Sequence, residues 1–340
     1  MIEDIPDNIL DDNQDNRKSI GIEYFQSGVE KFLEGAYEGA KQNFLLALEF
    51  DPSLILSYCY LSSIYCDDGK PDTAIQLCVR GLKEDPDNPH LHFCLGSAFD
   101  LKGMKNQAIQ EYQLYHEEFA DDAECTFSIA NAYDDIGDKE NAGKYYQKTI
   151  DLNPFHHKAY FNFSLIKAEE GDEKEAIGLL RRLVMVNPNY WKAWVKLGIF
   201  SSRQGDLEGA VAAYSRAVEL QDDLVDVYYN LGISYKLLNR FEEALKSFYR
   251  VVRMNDKDIN AWHNVGVSHF ELGENKKALE ALRKVISLDL NHSAAHYRIA
   301  CVYVSMGDYE KARKEMDFLF QRDEDLYIAI KDMLEESCCE

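Results

Sequence analysis

The residues with which this chain could do chemistry are its 9 histidines and 8 cysteines. Neither set is spaced for catalysis or for a metal. His156 and His157 are neighbours just after Pro154, and His90 and His92 stand two apart on a predicted helix, so they face different directions. The thiols Cys59, Cys66, Cys78, Cys94, Cys125, Cys301, Cys338 and Cys339 are scattered, without the C-x-x-C pairing typical of zinc sites. Ser337 stands where a terminal prenylation box needs cysteine, which leaves Cys338 and Cys339 as an oxidisable tail. There is no G-x-S-x-G, no H-E-x-x-H and no Walker-type phosphate loop. The expectation is a protein with no catalytic residue, no metal and no cofactor: not an enzyme.

What recurs instead is a grid. Alanine returns every thirty-four residues at Ala40, Ala74, Ala108, Ala142, Ala176, Ala210, Ala244, Ala278 and Ala312, without insertion or deletion. A chain keeps such a period when each unit must stack on the next in one geometry. With units starting at residue 21, position 8 is always small (Gly28, Ser62, Gly96, Ala130, Ser164, Gly198, Gly232, Gly266, Ala300). Position 4 is usually large and often aromatic, as in Tyr24, Tyr160, Trp194 and Trp262. Positions 4, 7, 8 and 11 make one amphipathic helical stripe, and positions 20, 24 and 27 make a second, so each unit holds two helices. Glycine at position 15 punctuates eight units and Asn239 the remaining one, which are the residue types that tolerate a left-handed helix end. Pro52, Pro86, Pro154 and Pro188 fall between units, where a helix must stop. The small residues at positions 8 and 20 let the two helices approach closely.

This pattern resembles the tetratricopeptide repeat (TPR). The sixth unit carries it most fully, in Trp194, Leu197, Gly198, Gly205, Ala210, Tyr214 and Ala217. The resemblance covers residues 21–326 as nine consecutive repeats. It implies an all-α fold, a right-handed superhelical solenoid of antiparallel helix pairs whose first helices line a concave groove. Residues 1–20 read as an acidic, disordered tail without the basic start and apolar stretch of a secretory signal. Residues 327–340 read as a capping helix and short tail, with Leu326, Ile330, Met333 and Leu334 on one face of a helix predicted over 325–336. The unbroken period argues for one elongated array.

The groove positions carry the binding expectations. Position 5 presents Phe93, Phe127, Phe161, Tyr229 and Tyr297, with His263 in the eighth unit: either a ladder of rings for a partner to stack on, or rings that adjacent first helices bury against each other. Position 6 presents Asn162, Asn230 and Asn264. Superhelical members of the family use asparagines there to grip a peptide backbone, because an amide donates and accepts at once. Members that bind chaperone tails hold a terminal carboxylate with five residues across three units. Units four to six offer Asn131, Asn162, Lys192 and Lys196 for that role, but Phe127 replaces the first lysine, and Asp134 and Asp135 stand close by. Asp100, Glu124, Asp134 and Asp135, followed by Lys158, Lys192, Lys196 and Arg203, suggest a groove of two polarities that could orient a bound segment.

Formal charge is −23, a surface that repels phosphate, so nucleic acid is a poor partner. No apolar run approaches the length of a membrane span. Free thiols fit a reducing cytosol, so a cytoplasmic location is expected. The reading is an adaptor or scaffold that binds an extended or helical peptide segment of another protein. Self-association stays open, as do two alternatives: a structural subunit of a larger assembly, or a substrate-recruiting module acting with an enzyme in trans.

Overall fold

A computed structural model describes residues 14–320 and 322–337. Every regular element among them is an α-helix. The contacts group into two bodies, residues 1–170 and 171–340, that part within the fifth repeat. The first body contains α1 (Gln14–Leu33), α2 (Tyr37–Phe50), α3 (Ile55–Asp67), α4 (Pro71–Glu84), α5 (Pro89–Leu101), α6 (Lys105–Glu118), α7 (Ala123–Asp135), α8 (Lys139–Leu152) and α9 (His157–Glu169). The second contains α10 (Glu173–Val186), α11 (Trp191–Arg203), α12 (Leu207–Leu220), α13 (Val225–Leu237), α14 (Phe241–Met254), α15 (Ile259–Glu271), α16 (Asn275–Leu288), α17 (Ser293–Ser305), α18 (Tyr309–Leu319) and α19 (Glu324–Ser337).

The helix pairs follow from the small residues. All nine periodic alanines are fully buried. In repeats one, three, six, seven and eight, the position-24 side chain of the second helix lies against the position-8 glycine of the first. A Cβ added at Gly198 would stand 2.5 Å from the Tyr214 ring, at Gly232 2.6 Å from Phe248, and at Gly96 2.7 Å from Tyr112. Where position 24 shrinks to Cys78, position 8 grows to Ser62, and the thiol donates to its hydroxyl at 3.2 Å. Burial pushes the Cys78 thiol up to about 12, so it packs as an inert apolar group.

The turns follow from backbone freedom. The eight position-15 glycines have φ between 70° and 86°, and Asn239 has φ 58°. Asparagine is the side chain that tolerates this left-handed region best. The N-terminus of a following first helix is commonly capped by the last residue of the unit before it. Asn88, Asp122 and Asp258 accept from backbone N–H groups there, and so do His156 and His292 through Nδ1, each at 3.1 Å. His156 therefore has a structural task at its junction, and it also packs 4.4 Å from the Phe127 ring.

The ends depart from the expected boundaries. Helix α1 starts at Gln14, inside the stretch read as a disordered tail, and α19 starts at Glu324, before residue 327. Helix α19 lays Ile330 and Leu334 into the core of the last repeats, beside Val302 and Ala312. The acidic residues before Gln14, and Cys338 and Cys339, lie outside the described residues.

The close contact has a testable cost. Gly198→Val forces two further methyl groups into the Tyr214 ring and should destabilise the chain by about 1–3 kcal/mol. Gly178 is an exposed glycine inside α10 with nothing within 4 Å of an added Cβ. There Gly178→Ala should stabilise by about 0.5–1 kcal/mol. Urea unfolding followed by circular dichroism measures both, and effects of the same sign would contradict the packing argument.

Candidate functional site

Positions 2, 5, 6, 9 and 12 of the first helices are the ones the repeat leaves outside its central packing, and their side chains divide into three kinds. The position-5 rings are the first. They lean on the second helix of their own repeat: Phe25 lies 5.9 Å from Phe44, Phe93 5.5 Å from Tyr112, Phe127 5.9 Å from Tyr146 and Tyr229 5.8 Å from Phe248. Each ring therefore closes the edge of the close contact beneath it and keeps only part of its surface exposed. Phe161 is half-buried. Tyr297 is half-buried too, with the Arg298 guanidinium 5.6 Å from its ring.

The amides are the second kind, and most of them bond to their own protein. Asn162 donates from Nδ2 to Asn131 Oδ1 at 3.0 Å and to the Tyr146 hydroxyl at 3.2 Å, while Tyr146 donates to the same Asn131 oxygen at 2.7 Å. Asn264 is buried; its Nδ2 donates to the Tyr229 hydroxyl at 3.1 Å and to Asn260 O at 2.9 Å, and its Oδ1 accepts from Lys236 Nζ at 2.6 Å. Asn264 is thus committed internally and is not available to clamp a peptide. Asn230 differs: it is half-buried, and no hydrogen bond from its side chain to the described residues is present.

Charge is the third. The acidic half of the expected two-polarity groove is neutralised from within. Lys105 Nζ lies 2.6 Å from both Asp100 and Asp135, and Lys139 lies 2.6 Å from Asp134 and 3.1 Å from Glu169. Each of these lysines opens a second helix and reaches forward to the first helix of the next repeat, so the carboxylates tie repeats together. Glu124 lies 3.3 Å from His156, and Arg203 3.2 Å from Glu173. Lys192 is exposed, 5.7 Å above the Trp191 ring, and Lys196 is half-buried. Both stand on α11 in the second body, whereas Asn131 and Asn162 stand on α7 and α9 in the first.

Two features were not singled out by sequence reasoning. In the first body, an open hollow of about 290 Å³ is lined by Phe32, Leu56, Cys59, Tyr60, Phe93 and Cys94, among others. Three successive first helices, α1, α3 and α5, contribute those walls. The nearby Cys94 thiol holds the Cys59 thiol below its ordinary value, while Cys59 and burial together raise Cys94. In the second body, His263 is held far below its ordinary value, at about 4, first by burial and then by His292, Arg298 and Lys236. Only the periodic grid could have signalled either feature, by placing Cys59 and Cys94 on neighbouring first helices, and Lys236, His263 and Arg298 on three successive ones. No group of three or more His, Cys, Asp or Glu among the described residues could hold a metal ion. No described helix is long and apolar enough to cross a membrane.

Comparison with known proteins bears on the repeats. A tetratricopeptide-repeat model matches residues 225–258, a TPR-repeat model residues 203–239, and a further tetratricopeptide-repeat model residues 123–156, 259–292 and 293–317. The chain carries tetratricopeptide repeats over these residues, and its 19 described helices are consistent with nine repeats and an added terminal helix. The family is a protein-interaction repeat fold and generally non-catalytic. No curated protein matches the sequence. Among solved structures the chain is similar to YrrB, described as a TPR protein with an unusual peptide-binding site, at 23% identity and TM-score 0.49 over 54% of this chain and 95% of that one. It is also similar to a tetratricopeptide repeat protein from Parabacteroides merdae (16%, TM-score 0.48, 73% of this chain and 98% of that one). A third is MamA from Desulfovibrio magneticus (22%, TM-score 0.44, 49% and 97%).

Two outcomes test the site's internal bonding. Asn264→Ala leaves a half-buried ammonium without its acceptor and should cost about 1–3 kcal/mol, whereas Asn230→Ala should stay within about 0.5 kcal/mol of the parent. Equal effects in urea unfolding would contradict the assignment. The second outcome concerns pH. His263 has its lowered value only when folded, so as pH falls the unfolded chain binds the proton first. The stability it contributes is complete above about pH 6.5 and is lost as pH falls towards about 4. Stability measured across this range should fall less steeply in His263→Phe than in the parent, and parallel curves would contradict the shift.

Proposed function

We propose that the chain is a non-enzymatic scaffold that binds a peptide segment of another protein along its first-helix face. The observation that carries this reading is the hollow between α1, α3 and α5. Its walls are rings and thiols that the repeat does not need to expose. Leu56 on its rim is 50% exposed. A partner side chain entering the hollow would remove apolar surface from water on both sides, at roughly 25 cal/mol for each Å² covered. Asn230 supports the same reading in the second body, with an amide that can still donate to and accept from a backbone. Contacts spread over several repeats can sum to useful affinity without a deep pocket. The free thiols are compatible with a reducing, cytoplasmic setting.

The test is site-directed photo-cross-linking on the full chain. A photo-reactive residue at Ser63, on the rim of the hollow, should capture partner peptide. The same residue at Val79, exposed on α4, should not. Leu56→Glu should reduce capture at Ser63 by about tenfold, because a carboxylate would have to be desolvated in the hollow. Capture at Val79 alone would overturn the reading.

A further inference from the structure

The second body holds a cluster of basic side chains whose two cations, Lys236 and Arg298, form no ion pair with a described carboxylate. Lys236 stands in the last turn of α13, His263 on α15, and His292 and Arg298 at the cap and in the second turn of α17. Three successive first helices therefore converge on it. Lys236 is half-buried, and its ammonium has a single hydrogen-bond acceptor, Asn264 Oδ1 at 2.6 Å. Burial and the Arg298 charge both lower its proton affinity. Arg298 is half-buried, and its guanidinium faces the Tyr297 ring at 5.6 Å rather than a carboxylate. The rings of His263 and His292 lie 5.5 Å apart, and Nε2 of His263 is buried without a hydrogen-bond partner.

The chain carries a net charge of −23, and the partly buried Lys105 is paired with Asp100 and Asp135. Neither Lys236 nor Arg298 forms an ion pair with a described carboxylate. Holding two like charges out of water beside each other is unfavourable unless something of opposite charge completes the arrangement. The surroundings say what that is. Asn264 and the Tyr229 hydroxyl fix the Lys236 ammonium in place, and half-exposed Tyr229, Asn230 and Tyr297 flank it with rings and a free amide. Rings and an amide are groups that contact polypeptide.

We infer that Lys236 and Arg298, with His263 between them, form a receptor for an acidic side chain of a bound peptide, so that the second body selects segments containing Asp or Glu. The inference rests on the peptide-scaffold reading and deepens it. These residues are separate from Asn131, Asn162, Lys192 and Lys196. Arg298 supplies a planar fork that takes a carboxylate through two parallel bonds, and Lys236 supplies a pre-positioned point charge. Bringing in the anion relieves the repulsion between them, and Nε2 of His263 gains a polar neighbour.

Fluorescence anisotropy on the full chain tests this with three labelled probes: a Glu-Gly repeat peptide, its Gln-Gly counterpart and its Lys-Gly counterpart. The Glu-Gly peptide should bind most tightly and weaken as salt rises from about 0.05 M to about 0.5 M. Lys236→Gln with Arg298→Gln should weaken it by about tenfold or more with helicity unchanged, and Leu56→Glu in the first body should leave it within about twofold. If the double variant does not fold, Arg298→Gln alone carries the test, with a loss of about threefold or more expected. Unchanged binding in the folded variant, or Gln-Gly or Lys-Gly binding as tight as Glu-Gly, overturns the inference and leaves the scaffold reading standing. Displacement of the probe by equimolar inorganic phosphate would make this a small-oxyanion site and overturn the peptide assignment. If none of the probes binds, the acidic receptor is overturned, and the Ser63 and Val79 cross-links judge the scaffold separately.

Discussion

The close approach of two helices over one small residue is the constraint on which the rest depends. At Gly198 and Gly232 there is no room for even a Cβ, because the Tyr214 and Phe248 rings already occupy its place. That contact fixes the spacing within the pair, and the buried alanine at position 20 fixes it again one turn away along the second helix. A pair built this way buries one stripe of each helix and leaves the other stripes for its neighbours. Stability is then the sum of many local contacts rather than the product of one central core.

Once the spacing is set, the functional face follows with little freedom. Positions 5 and 6 of each first helix stand at the edge of the ring contact, so what occupies them decides whether the edge is sealed or open. Phe127 seals it against Tyr146 and His156, and Asn264 seals it with Tyr229 and Lys236. Cys59 and Cys94 do not fill the space that a ring would, and a hollow opens between α1, α3 and α5. The character of this face therefore varies along the chain while the frame stays constant: apolar and thiol-lined in repeats one to three, basic in repeats seven to nine.

Much of the frame was legible in the sequence, because the same steric demand is written nine times. The glycine turns, the alanine contacts and the Asn239 exception are local requirements that the residue types meet directly. The site was legible only in outline. Groove positions could be named, but whether a side chain spends its hydrogen bonds internally depends on a neighbour in another repeat, 28 or 31 residues away in these cases. Asn162 bonds to Asn131, and Asn264 takes its bond from Lys236. Charge was misleading for the same reason: Asp100, Asp134 and Asp135 look like an acidic patch until Lys105 and Lys139 arrive from the second helices. Lys236 and Arg298 carried no distinguishing signal, since a lysine without an acid is recognisable only in three dimensions.

The central claim is that the first helices form the working surface and the second helices support it. Hydrogen–deuterium exchange on the full chain, with and without a bound partner peptide, tests this most directly. The account predicts added protection on first helices such as α3, α5, α13 and α17, with α4, α6, α14 and α16 unchanged. Protection confined to the second helices would contradict it.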